Sequence, residues 1–144
     1  MSVEQRAYGD GDASYQAAGQ FEGLQRLTTA FYRAMDELPE AQLIRDMHPQ
    51  DLEESTDKLA RFLAGWLGGP RLYREKYGAI AIPRAHAHLD IDEQGRDAWL
   101  RCMAVALEQQ PYAEDFKAYL LRELYRPAER SRVVSQQARQ QQPV

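Results

Sequence analysis

Phe62-Leu63-Ala64-Gly65-Trp66-Leu67-Gly68-Gly69-Pro70-Arg71-Leu72-Tyr73 brings an amphipathic helix to an abrupt end. Leu52, Ser55, Leu59, Phe62, Leu63, Trp66 and Leu67 recur at helical spacing, so they share one face. Two glycines followed by a proline give up both helix propensity and an amide donor, and the helix stops there. Its start is predicted at Asp51, an N-cap with Glu54 three residues on to complete a capping box. Ser55 lies one turn from Leu59, so a small polar side chain looks into the same space as a leucine and a phenylalanine. Past the stop, Arg71–Tyr77 predicts one or two helical turns ended by Gly78.

Upstream, residues 1–13 are small, polar and glycine-containing and read as a flexible N-terminal extension. Ser14–Ala18 predicts a short helix with Ser14 as N-cap and Gly19 as stop. Phe21, Leu24, Leu27, Thr28, Phe31 and Met35 then mark a strongly amphipathic helix. Tyr32 sits on the flank of its apolar face, either a core-edge residue touching solvent or a hydroxyl that enters the interior and needs a partner. Pro39 opens a short turn-like helix, Glu40–Asp46, which ends at Met47-His48-Pro49; a residue before proline is expected to be extended.

Downstream, Ala79–His88 has a strand-like composition that Pro83 argues against. Asp92 predicts the cap of a long helix whose buried stripe is Trp99, Met103 and Ala106 or Leu107. Pro111 predicts the first turn of a last helix, with Tyr112, Phe116, Leu120 and Leu124 facing in. Residues 127–144 are charged and glutamine-rich and read as a frayed polar tail. Helix signals dominate, so the class is all-α, with residues 14–126 as a single domain.

At 144 residues the chain suits one domain able to bury roughly 68–70% of its unfolded surface, enough for a core and an enclosed ligand. A net charge of −4 with dispersed arginines gives no basis for nucleic-acid binding. The single cysteine, Cys102, excludes an internal disulfide framework and reads as inert core; no Cys-x-x-Cys-His is present for covalent haem attachment. The N-terminus lacks the apolar segment of a secretory signal and no apolar run spans a bilayer, so the default location is the cytoplasm, without a membrane partner.

Two of the three histidines fall in Arg84-Ala85-His86-Ala87-His88-Leu89-Asp90-Ile91, just ahead of the Asp92 helix. A histidine in an irregular segment is free to aim its neutral imidazole at a metal, although buried histidines commonly serve the core. His48, His86 and His88 together form an alternative mononuclear metal site, since residues two apart share a face when extended.

These pieces together resemble a group II truncated haemoglobin, one of the short bacterial globins. Phe31-Tyr32 is similar to the Phe-Tyr pair of the family's second helix. The Phe62–Tyr73 stretch resembles its Phe-Leu…Leu-Gly-Gly-Pro…Tyr segment, and Arg96-Asp97-Ala98-Trp99-Leu100-Arg101-Cys102-Met103 its Trp-bearing helix start. His86 stands thirteen residues before Trp99, the family's spacing for the histidine that binds haem iron. The chain departs from the pattern at Ala85 and Pro83, where members often carry arginines, at His88-Leu89-Asp90, and at His48, where the family often has an aromatic residue.

The resemblance implies a two-over-two helical sandwich around haem b, non-covalent iron protoporphyrin IX. It implies His86 as the iron ligand, with His88 as the rival. The cofactor's surroundings would be Lys58, Leu59, Phe62, Leu63, Tyr73, Arg84, Ile91, Trp99 and Met103, with Lys58, Arg84 and Tyr73 as propionate partners. The ligand side would be Tyr32, His48, Ser55, Leu59 and Trp99. The implied partners are dioxygen and other small diatomic ligands. Oxygen transport is one use, although several donors around the ligand favour retention. Redox chemistry on nitric oxide or peroxide, peroxidase- or dioxygenase-like, would require an unidentified reductase. The alternative of another class is a non-haem helical interaction module in which these aromatics are only core.

Overall fold

In a computed structural model, residues 7–79 and 91–141 are described. The helices are α1 (Ala13–Ala17), α2 (Gln20–Glu37), a 3-10 turn (Pro39–Ala41), α3 (Gln42–Asp46), α4 (Glu53–Trp66), α5 (Leu72–Tyr77), α6 (Glu93–Glu108) and α7 (Glu114–Gln141). α2 packs on both α4 and α6, and α6 packs on α7. The α2–α4 layer thus lies over the α6–α7 layer, the two-over-two sandwich expected from the sequence.

The buried faces are those the periodicity marks, except that Trp66 at the end of the α4 stripe is 36% exposed. Leu24, Leu27, Phe31 and Met35 of α2 meet Leu63 and Ala64 of α4, Met103, Ala106 and Leu107 of α6, and Phe116, Leu120 and Leu124 of α7 in one core. Each large apolar side chain so buried contributes roughly 1.5–3 kcal/mol. Thr28 is fully buried in the same face because its hydroxyl donates back to the Leu24 carbonyl at 2.9 Å. Cys102 is fully buried as well, and burial raises its thiol pKa to about 11.

The glycine-glycine-proline run acts as more than a stop. α4 ends at Trp66, Gly68 adopts φ +90°, and the Gly69 amide donates to the Ala64 carbonyl at 2.8 Å. A Cβ on Gly68 would fall 1.9 Å from the Gly11 carbonyl oxygen, and one on Gly69 2.5 Å from the Tyr15 ring. The run is therefore the surface on which α1 and the turn before it dock. The Tyr15 amide completes this contact by donating to the Leu67 carbonyl at 3.2 Å.

Several expectations at helix ends are corrected. Ser14 lies inside α1 rather than capping it, and its buried Oγ accepts from the Gly9 amide at 2.9 Å. The segment before α1 reaches α7 through Tyr8. The Tyr8 ring sits 5.3 Å from Phe116 and 5.1 Å from Tyr119, and its hydroxyl donates to Asp115 at 2.9 Å. The N-cap of α4 is Leu52 rather than Asp51. Asp51 accepts from the Glu53 amide at 2.9 Å, and Glu54 pairs with Lys58 at 3.2 Å instead of closing a capping box. Asp92 does cap α6, accepting from the Gly95 amide at 2.7 Å.

Pro111 precedes the last helix, which starts at Glu114. The frayed tail expected from Pro127 is helical instead, as far as Gln141. A proline inside a helix costs about 3 kcal/mol or more. Here that cost is opposed by burial of Ser131 and Ser135 and by ion pairs of Glu129 with Arg96 and Arg132. Apart from Ala79, the strand-like stretch Ala79–His88 lies outside the described residues. Among the described residues no helix is long and apolar enough to cross a membrane.

Candidate functional site

A cavity of about 320 Å³ opens where α2, α3, α4, α6 and α7 converge. That volume is at the lower end of the range for small-molecule and cofactor sites. α4 supplies one wall through Ser55, Lys58, Leu59 and Phe62, which stack along one face because residues three and four apart lie above one another. α6 supplies Gly95, Arg96 and Trp99 by the same spacing, with Ile91 just before it. Tyr32 enters from α2, His48 from the turn after α3, and Tyr73 from α5. Leu124, Pro127, Ala128 and Ser131 of α7 close the remaining side.

Four rings run edge to face along this space. Trp99 lies 5.0 Å from Phe31, Phe31 4.9 Å from Tyr32, and Tyr32 5.6 Å from His48. Phe31 is fully buried and anchors Trp99 and Tyr32, the latter in turn meeting His48. Tyr32 is 8% exposed, and burial pushes its hydroxyl pKa well above the usual tyrosine value. It therefore stays a protonated donor, and it bonds to none of the described residues. His48 Nδ1 lies 2.8 Å from the Ile44 carbonyl. A carbonyl can only accept, so Nδ1 carries the hydrogen in that contact and the ring orientation is fixed.

The basic groups nearby are already engaged. Lys58 is 44% exposed, paired with Glu54, and stands 5.3 Å over the Tyr77 ring. Arg96 is 14% exposed and contacts Asp97 at 3.0 Å, Glu129, and the Tyr125 ring at 5.3 Å. A larger open groove of about 670 Å³ runs beside α2 and α4 past Asp57. Burial pushes the Asp57 pKa up, but hydrogen bonds from Tyr77 (2.6 Å), Lys76 (2.9 Å) and Arg61 outweigh it and lower it to about 2. That carboxylate ties α5 to α4 below Lys58.

Of the residues read from the sequence, Tyr32, His48, Ser55, Lys58, Leu59, Phe62, Tyr73, Ile91 and Trp99 line one cavity. Leu63 and Met103 do not. Each is fully buried in the core, one helical turn past the cavity-lining residue below it, Leu59 for Leu63 and Trp99 for Met103. His86, Arg84 and His88 lie outside the described residues. Ile44, Met47, Gly95, Arg96, Leu124, Pro127, Ala128 and Ser131 complete the lining. Of these, Gly95 and Arg96 were detectable as the positions four and three before Trp99. The α7 residues past Leu124 were hidden by the reading of a tail.

The lining suits haem. Leu59, Phe62, Ile91, Trp99 and Leu124 offer apolar contact to a flat macrocycle, while Tyr73 and the Glu54-paired Lys58 stand at the lining where its acidic edge would lie. Tyr32, largely buried, presents its hydroxyl at the cavity wall with no bond to a described residue.

A family model described as bacterial-like globin matches residues 13–128. The chain is 33% identical over 109 residues to group 2 truncated haemoglobin YjbI of Bacillus subtilis, covering 76% of this chain and 80% of that one. Among solved structures it is similar to the group II 2-on-2 haemoglobin of Agrobacterium tumefaciens, with TM-score 0.78 and 34% identity over 91% of this chain and 97% of that one. It is also similar to the truncated oxygen-avid haemoglobin of Bacillus subtilis, with TM-score 0.75 and 31% identity over 82% and 97% of the two chains.

Proposed function

Because the chain belongs to the bacterial-like globins and, among them, to the group II truncated haemoglobins, we propose that it is a haem b protein that retains dioxygen and related diatomic ligands in a polar pocket. The observation that carries this reading is Tyr32, a largely buried side chain whose protonated hydroxyl lies on the cavity wall with no bond to a described residue. Haem, when bound, would supply the iron at which a small gas ligand binds, and an imidazole of this chain would hold it. His86 is assigned the imidazole role on its spacing to Trp99.

The chain's own residues would then divide the work. Tyr32 and the Trp99 indole donate to a ligand that carries partial negative charge. Ser55 is small enough to leave the pocket unsealed, and His48 holds the Tyr32 ring from the side. Leu59, Phe62 and Ile91 exclude water from the cofactor faces. Lys58, Tyr73 and Arg84 are assigned to the propionates, Lys58 by exchanging Glu54 for a second carboxylate. Nitric oxide and peroxide fit the same space, but turnover on either requires electrons from a separate reductase, so ligand retention is the reading the pocket supports best.

The test is the absorption spectrum of protein purified from haem-replete cells, with a pyridine haemochrome assay for the haem type. A Soret band, its shift under carbon monoxide, and a b-type haemochrome are expected. Protein that is colourless and takes up no added haemin would overturn the reading.

A further inference from the structure

Residues 129–141 lie past the matched span, yet α7 continues through them. Two of them reach back to the cavity wall. The Glu129 carboxylate accepts from Arg96 of α6 and from Arg132 Nε, the latter at 2.6 Å. The Ser135 hydroxyl, fully buried, accepts from the Ile91 amide at 3.1 Å. Ile91 and Arg96 both line the cavity. Ile91 precedes the Asp92 cap, so its amide has no acceptor within α6; Ser135 supplies one from another helix.

We propose that Glu129 and Ser135 are positioning residues of the haem site: they clamp the start of α6 against α7 and thereby set how long the cofactor is retained. The proposal rests on the haem reading above. A helix start has few hydrogen bonds of its own and belongs to the part of a fold that opens most readily. Opening it at Ile91 and Arg96 would admit water along one cavity wall, and a non-covalent cofactor leaves through such open states. Clamping from α7 lowers their population. It also accounts for why a glutamine-rich, proline-containing stretch keeps its helix: buried serines let α7 approach closely, and Glu129 holds two arginines.

The experiment uses full-length protein: wild type, Glu129→Gln, Glu129→Asp and Ser135→Ala. One readout is the rate of haem transfer to excess apomyoglobin, at low and high salt. The other is hydrogen exchange at the Ile91 amide in haem-free protein. Glu129→Gln and Ser135→Ala are expected to release haem roughly tenfold faster, the effect of removing one partner of a buried or charged hydrogen bond. Both should expose the Ile91 amide, while Glu129→Asp should stay near wild type. Salt should speed release from wild type more than from Glu129→Gln. Release within roughly twofold of wild type in both variants, about 0.4 kcal/mol, overturns the proposal. So does faster release with unchanged Ile91 protection, or loss of the helical signal of the haem-free variants, which would make these residues general determinants of folding. A wild type that takes up no haem fails at the first step, and that failure belongs to the underlying reading.

Discussion

Tyr32 and His48 meet edge to face on the cavity wall, with ring centroids 5.6 Å apart and planes 71° from parallel. Phe31 also meets the Tyr32 ring edge to face, at 4.9 Å, and Ile44 holds His48 through its carbonyl. A tyrosine held by two rings loses little entropy when it donates to a bound ligand. Its pKa is raised by burial, so the donor persists above the pH at which an exposed tyrosine ionises.

Replacing Tyr32 by Phe removes that donor and keeps the ring. Dioxygen dissociation, followed by stopped flow, should accelerate about tenfold or more, equivalent to a hydrogen bond of roughly 1.5 kcal/mol. Trp99→Phe should act in the same direction. In wild type the rate should show no tyrosine ionisation up to about pH 10. Off-rates unchanged in both variants would remove the distal-donor assignment.

His86 is assigned to the iron by its spacing to Trp99. His86→Ala should sharply weaken haem retention and change the Soret and visible bands, with imidazole added to the buffer restoring part of the spectrum. His88→Ala should do little. If His88→Ala were the variant that lost haem, the assignment would move two residues along the chain.

The sequence was legible where one physical rule acts alone. Apolar periodicity marked the buried faces of α2, α4, α6 and the first half of α7, and Gly68-Gly69-Pro70 marked the end of α4. It was less legible where a distant partner overrides a local rule. Pro127 signals a helix end, but Arg96 on α6 and the buried Ser131 and Ser135 carry α7 past it. Arg96 itself reads as a surface residue until Glu129 is placed opposite. Ser14 and Asp51 are good caps by type, but Gly9 and Glu53 take their oxygens in a different register. Leu63 and Met103 show the limit of spacing: it says that a residue is buried, without saying whether core or cavity lies in front of it.

The docking surface at Gly68-Gly69 predicts a graded loss. Gly69→Ala drives a methyl into the Tyr15 ring, whose atoms lie 2.5 to 2.7 Å from the new carbon. Overpacking of this kind costs about 1–3 kcal/mol. Gly68→Ala should cost more, because its carbon would meet the Gly11 backbone at 1.9 Å with φ at +90°. Chemical denaturation of both variants and of Tyr15→Ala/Gly69→Ala checks this. The double variant should lose less than the sum of its single changes; strict additivity would show that Tyr15 and Gly69 do not constrain each other.

Asp57 predicts how the fold responds to acid. Its carboxylate accepts from Tyr77, Lys76 and Arg61, and its pKa falls from 3.8 to about 2. A carboxylate depressed in the folded state favours folding while it is ionised. Its contribution is therefore complete above pH 4 or so and disappears as pH falls toward 2. Glu129, lowered to about 2 by Arg132 and Arg96, titrates in the same window and adds to the effect. Asp57→Asn should thus lower stability near neutral pH and flatten its decline between about pH 4 and 2, with proton uptake on unfolding reduced by about one near pH 3. Tyr77→Phe should reproduce part of the change, since one of the three donors is lost. Helical circular dichroism in urea at stepped pH provides the measurement. If Asp57→Asn and wild type lost stability in parallel across that window, the carboxylate would be titrating as though exposed, and the tie between α4 and α5 would rest on Lys58 of α4 over the Tyr77 ring instead.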